Sequence, residues 1–253
     1  MIRHGFDGGE ELLKPEYLAP PVKGFPKTVL VTFHRKVVAA LQNRFETEVV
    51  STMNGCVIVP VYRFSYQGET FGLFLSTIGG PATTGMLEEV WSKGAEKVLL
   101  FGSCGGLDAN LPAGHMIIPT AAYRDEGTSF HYLPPSDYVE IPTAERLAEI
   151  FGELDVPYVR SKTWTTDAIY RETPGKAAER LAEGCGVVEM ECASVMAAGQ
   201  FRGKEVYQFL YTADSLAGSQ WDRGRMGQRP ESEYERYLSI ALETAIRLQG
   251  GNL

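Results

Sequence analysis

The chain has 253 residues, 44% hydrophobic and 22% charged, an ordinary globular composition with enough length for a substantial core. Its formal net charge of -8 argues against a nucleic-acid or anionic-membrane partner and leaves room only for a local basic pocket. Cys56, Cys104, Cys185 and Cys192 form no CxxC pair and no zinc spacing, so no metal site is expected; with a polar N-terminus and no long apolar run, they read as reduced thiols of a cytoplasmic protein.

Residues 1–27, with Pro15, Pro20, Pro21 and Pro26, read as an extended N-terminal arm, and 28–253 as one domain. A buried strand is expected over 28–33. A helix over 34–45 follows from the spacing of Val37, Val38, Leu41 and Phe45. Strands over 57–64 and 71–78 flank a hairpin signal at 66–69. Gly79, Gly80 and Pro81 break the chain before a helix over 82–93, which Gly94 stops. A strand over 97–101 then runs into Gly102-Ser-Cys-Gly-Gly106, expected to be a turn. Further on come a strand at 115–120, a polar and aromatic surface loop at 123–132, a helix at 142–154 and a strand at 156–165. Next are a helix at 176–183, a short strand at 186–188 leading into a helix that ends at 201, and a strand at 205–213. Asp214 opens a polar loop to Pro230, and an amphipathic helix closes the chain at 231–248. Strands alternating with helices predict an α/β architecture.

Three stretches carry possible chemistry. Backbone N–H groups of a glycine turn at the carboxyl end of a strand can face an anion, and Ser103 adds a hydroxyl there. Glu189 and Glu191 stand where a buried strand passes into a helix. They are either helix caps, stabilised by the macrodipole, or acceptors for a sugar diol with Met190 packed on the sugar face. Asp214, at the carboxyl end of an apolar strand, is either a turn cap or a site acid.

Taken together, FGSCGGL, RDEGTSFHY, VVEMECAS and YTAD, in this order, resemble the nucleoside phosphorylase family of purine nucleoside phosphorylases, uridine phosphorylases and related nucleosidases. The resemblance spans residues 28–248. It implies a single α/β domain whose central mixed sheet is partly closed into a barrel with flanking helices. It also implies phosphorolysis of the N-glycosidic bond of a purine nucleoside or uridine. Inorganic phosphate would be the co-substrate and no other cofactor is expected. Carried over by position, Arg35, Ser103 and the segment Gly102, Cys104 and Gly105 would hold phosphate. Glu189, Met190 and Glu191 would hold ribose, and Asp214 would protonate the leaving base. Trp164 and Tyr170 are placed to stack on a base, or else are core residues. Cys104 and Cys192 also read as small buried hydrophobes. Family members form closed oligomers, which implies a homo-oligomer, hexamer or dimer, with His4 the candidate for capping a neighbour's ribose.

Several positions depart from that pattern. Leu100 and Asn54 stand where phosphorylases carry phosphate-binding arginines, which removes charge-assisted contacts. Arg171-Glu-Thr-Pro-Gly175 replaces the residues that read uracil. Hydrolysis of the same bond by water, or nucleoside binding without turnover, are the alternatives. His34-Arg35 at the first strand–helix passage favours an anionic co-substrate. Arg223 and Arg225, a few residues on in the polar loop, read chiefly as surface charge, with holding Asp214 as the other role for either.

Overall fold

The computed structural model describes residues 5–55 and 57–250. Ten strands form one mixed sheet: β1 (Thr28–Thr32), β2 (Glu48–Asn54), β3 (Ile58–Tyr66), β4 (Glu69–Leu75), β5 (Lys97–Gly106), β6 (Met116–Asp125), β7 (Tyr138–Glu140), β8 (Val159–Thr166), β9 (Cys185–Glu189) and β10 (Glu205–Ser215). Six helices flank it among the described residues: α1 (Arg35–Arg44), α2 (Gly80–Lys93), α3 (Ala144–Glu153), α4 (Pro174–Ala182), α5 (Cys192–Arg202) and α6 (Glu231–Gln249). None of these is long and apolar enough to cross a membrane.

The sheet runs β10-β6-β8-β9-β5-β1-β4-β3-β2, and β10 also pairs with β5. Strands β10, β6, β8, β9 and β5 therefore close into a five-stranded ring, and the other strands extend from β5 as an open wing. The expected partly closed barrel is thus present. The core on the outside of the ring is aromatic: Phe101 stacks on Phe209 with centroids 5.3 Å apart, and Phe151 lies 5.4 Å from Phe209. Each such buried ring contributes about 1.5–3 kcal/mol relative to exposure. Inside the ring, Cys104, Leu111, Ile117, Val187 and Leu210 form a smaller cluster.

Four expectations change. The glycine run is strand, not turn, because β5 continues to Gly106 and pairs with both β10 and β9. A Cβ on Gly105 would lie 2.6 Å from Leu216 Cδ1 and 3.1 Å from Val188 Cγ1, so glycine is there to let the strands approach. Asp214 likewise lies within β10 rather than opening a loop. The 123–132 stretch is not a surface loop: β6 runs to Asp125, Thr128–His131 is a 3-10 turn, and Arg124, Glu126, Ser129 and Phe130 are buried. Strands β2 and β7 also join the sheet; β2 buries only Met53, so it lacks the alternation that reveals a strand. In the arm, Val22 N–H donates to Lys93 O and Ser92 Oγ to Ala19 O, and Phe25 is buried in the main core.

Candidate active site

Strands β1, β5 and β10 run parallel, and their carboxyl ends open on one side of the sheet. Strand β1 ends at Thr32, opposite Phe101, while β5 continues. The β1-facing edge of β5 is thereby unpaired from Gly102 to Cys104, before β9 takes it up at Gly105, and Ser103 is exposed there between buried Gly102 and Cys104. Backbone donors on such an edge and the Ser103 hydroxyl suit an anion. The neighbouring turn is basic. His34 caps α1, its Nδ1 accepting the Lys36 N–H at 3.2 Å, and its ring stacks on Tyr234. Burial, then the charges of Lys36, Arg35 and Arg229, hold His34 below the usual imidazole range. Arg35 opens the same helix and is exposed.

Glu189 ends β9 wholly inside the protein. Its carboxylate accepts from Thr165 Oγ1 at 2.6 Å, Thr163 Oγ1 at 3.2 Å, and the Glu191 and Cys192 N–H groups at 2.7 Å each. These bonds consume it as the cap of α5, so the ribose-holding position assigned to it is occupied by the protein's own donors. Two residues on, Glu191 Oε1 accepts the Gly79 N–H at 2.6 Å. Burial and the neighbouring Glu189 push the Glu191 carboxyl up to about 8. Gly79 has φ +106°, which turns that N–H toward Glu191 without the strain a Cβ would bring. Gly80 then lies directly against Ser194, and Ser194 Oγ donates to Glu126 Oε2 at 2.5 Å. The polar stretch after β6 is therefore part of the scaffold behind the carboxylates. Met190 is half-buried between them.

Asp214 faces β5 through an irregularity in β10, where the register slips between Thr212 and Asp214 so that Asp214 pairs with Gly105. Its Oδ1 lies 3.7 Å from where a Gly105 Cβ would stand. Asp214 is 9% exposed, and burial raises its carboxyl above the usual range, against the pull of the Trp221 indole and the Arg229 charge. Trp221 Nε1 donates to Asp214 Oδ2 at 2.6 Å. Arg223 and Arg225 are exposed surface charges and do not hold the acid: Arg223 Nε donates to Met226 O and Arg225 pairs with Glu233. Arg229 instead stands buried behind it, donating to Thr212 O at 2.6 Å and to Tyr237 Oη at 3.1 Å. Glu172, half-buried after the 3-10 turn Ile169–Arg171, is pushed up to about 7 by burial and by the Asp214 charge.

The remaining candidates fall elsewhere. Cys104 lies inside the ring, and burial pushes its thiol well up, so it is an inert packing residue. Trp164 is 1% exposed, packs with Leu107, Cys185 and Val188, and donates to Asp125 Oδ2, so it is core and offers no face for stacking. Tyr170, 95% exposed, stacks on no ring among the described residues. Leu100 is buried in β5 opposite Gln208, and Asn54 ends β2 in an exposed position. His4 lies outside the described residues. Sequence reasoning missed Trp221, Arg229, Glu172 and Gly79. A lone tryptophan in a Gly/Ser/Asp/Arg loop was the signal for the first; the others carried none.

A closed mixed sheet with two buried carboxylates at the end of β9 and a buried acid in β10, both strands paired to Gly105, defines an α/β protein with a ring of five strands. A family profile described as the phosphorylase superfamily matches residues 27–247, and the chain belongs to that superfamily. It is 28% identical over 191 residues to guanosine phosphorylase of Halorubrum lacusprofundi, covering 73% of this chain and 79% of that one. It is also 28% identical over 191 residues to purine nucleoside phosphorylase of Plasmodium vivax, covering 73% and 77%. A uridine phosphorylase of Thermococcus kodakarensis is 34% identical over 109 residues, 42% of this chain and 39% of that one. The fold matches purine nucleoside phosphorylase from Toxoplasma gondii in complex with immucillin-H (TM-score 0.74, 20% identity, covering 96% and 98%). It also matches AMP nucleosidase from Bacteroides thetaiotaomicron (TM-score 0.70, 20% identity, covering 89% and 90%).

Proposed function

We propose that this protein is a pentosyltransferase that cleaves the N-glycosidic bond of a purine nucleoside with inorganic phosphate, releasing the free base and ribose or deoxyribose 1-phosphate. Phosphate sits at the free edge of β5, against Ser103 and Arg35, and the ribose hydroxyls meet Glu191 with Met190 on the sugar face. As a phosphate oxygen bonds to the anomeric carbon, the bond from that carbon to the base breaks and its electron pair goes to the base. Asp214 gives the base a proton at a ring nitrogen. The transition state is cation-like at the sugar and anionic at the base, so phosphate and acid stabilise its opposite ends.

The observation that carries this reading is Asp214, a buried carboxyl beside Gly105, the residue on which β9, the strand leading to Glu191, also pairs. The missing uracil-reading residues at 171–175 support a purine. Hydrolysis is the second reading, favoured by Leu100 and Asn54 at positions that lack the expected cations. The protein works in the cytoplasm as a homo-oligomer, a hexamer or dimer. The test incubates inosine, guanosine, adenosine and uridine with and without phosphate and scores ribose 1-phosphate against free ribose. Phosphate-dependent ribose 1-phosphate from a purine nucleoside is expected. Equal base release without phosphate, with free ribose, moves the protein to hydrolysis.

A further inference from the structure

Trp221 stands out among the aromatics: Trp91 and Trp164 are buried in the core, while Trp221 is 58% exposed and still makes a short hydrogen bond. Its backbone is tied down. Ser215 and Asp222 exchange two hydrogen bonds, at 2.8 Å and 2.9 Å, and the Arg225 N–H reaches back to Ala213 O at 3.2 Å. The loop after β10 thus folds onto the end of its own strand and delivers the indole N–H to Asp214 Oδ2.

We propose that Trp221 is the positioning residue of the acid: its N–H fixes Oδ2, leaves Oδ1 as the oxygen that carries the proton, and presents the exposed indole as a wall for the base. This rests on the reading of Asp214 as proton donor. Two features point to positioning rather than packing. The indole has only one donor and spends it on this carboxylate although more than half of the residue faces solvent. Oδ1 lies 3.7 Å from where a Gly105 Cβ would stand while Oδ2 takes the indole N–H, so the two oxygens have distinct surroundings.

The charges around the acid fix the sign of a test. Arg229 favours the ionised form, Asp222 and Glu172 oppose it, and the buried Cys104 thiol beside it stays neutral. The indole favours the ionised form without titrating itself. Removing it keeps the acid protonated to higher pH.

The experiment compares wild type, Trp221→Phe and Asp214→Asn on inosine, or on whichever nucleoside the panel above selects. The reactive acid is protonated, so kcat falls as pH rises through its titration. Trp221→Phe is expected to move that alkaline limb up by about one pH unit, the scale of a hydrogen bond to a charged group. It is also expected to lower kcat at the optimum about tenfold, with KM for phosphate unchanged. In ligand-free protein, the fluorescence difference between wild type and Trp221→Phe isolates Trp221, and its pH transition is expected to vanish in Asp214→Asn. If Asp214→Asn turns over at the wild-type rate, the proton-donor reading fails and the positioning role falls with it. If Asp214→Asn is slow but Trp221→Phe keeps the wild-type alkaline limb, or its fluorescence transition survives in Asp214→Asn, the positioning role alone is overturned.

Discussion

Replacing Glu191 by glutamine removes a titratable group from a residue that is only 7% exposed, while keeping an oxygen to accept the Gly79 N–H. Burial and Glu189 raise the native carboxyl from 4.5 to about 8, so the folded protein holds this proton more tightly than the unfolded chain does. Below about pH 4.5 both states are protonated and the group costs nothing. Between 4.5 and 8 the folded state loses about 1.4 kcal/mol per pH unit, and above that the loss is constant. At pH 7 the accumulated cost is about 3 kcal/mol by the same linkage, an upper figure because Glu189 shares the burden. Glu191→Gln is therefore expected to stabilise the ligand-free protein, by about 6–12 °C in melting temperature at pH 7. The assay is thermal unfolding of both proteins at pH 5, 7 and 8.5. The gain should be small at pH 5 and level off at the highest pH. A gain that is absent, or the same at all three values, refutes the account of Glu191 as a buried, strained acid. Above pH 8, where Glu191 is ionised, the same variant should lose about 10–150-fold in kcat/KM, the worth of one charge-assisted hydrogen bond to the ribose. One substitution thus strengthens the fold and weakens the site.

Gly80→Ala places a Cβ against Ser194 Oγ and 2.9 Å from Ser194 Cβ. It should cost about 1–3 kcal/mol in urea unfolding and lower activity by shifting the Gly79 N–H away from Glu191. Glu172→Gln removes a carboxyl raised to about 7 that repels the Asp214 charge, so Asp214 ionises more easily. The alkaline limb of the pH–rate profile should then move to lower pH, opposite in direction to Trp221→Phe; an upward shift would show that Glu172 does not face the acid.

What the sequence disclosed and what it concealed follow from the range of the interactions. The passage from β9 into α5 was legible because carboxylates beside an apolar run are conspicuous, and so was the acid in Tyr-Thr-Ala-Asp. Which carboxylate is free was not legible: Glu189 is consumed by Thr163 and Thr165, more than twenty residues earlier in the chain. The 123–132 stretch looked solvated because it is polar, yet Arg124 bonds Ser129 and Glu126 bonds Ser194 from another element. Polar composition cannot separate water as a partner from a distant side chain. The glycines of β5 suggest a turn because glycine permits one. Their actual reason lies in tertiary packing: Phe33 approaches Gly102, and Val188 and Leu216 approach Gly105. Edge strand β2 escaped because it buries too little to show a period.

Gly105 pairs with Val188 on one side and with Asp214 on the other. The strand leading to Glu191 and the strand bearing the acid are therefore separated by one intervening chain, two ladder spacings around the ring and so less than about 10 Å across it. That distance is a length standard set by backbone hydrogen bonds rather than by side chains, and the closed ring allows neither strand to drift without breaking a ladder. Substitutions in the side chains can change what is recognised at each end, but the span between the ends is fixed by the sheet.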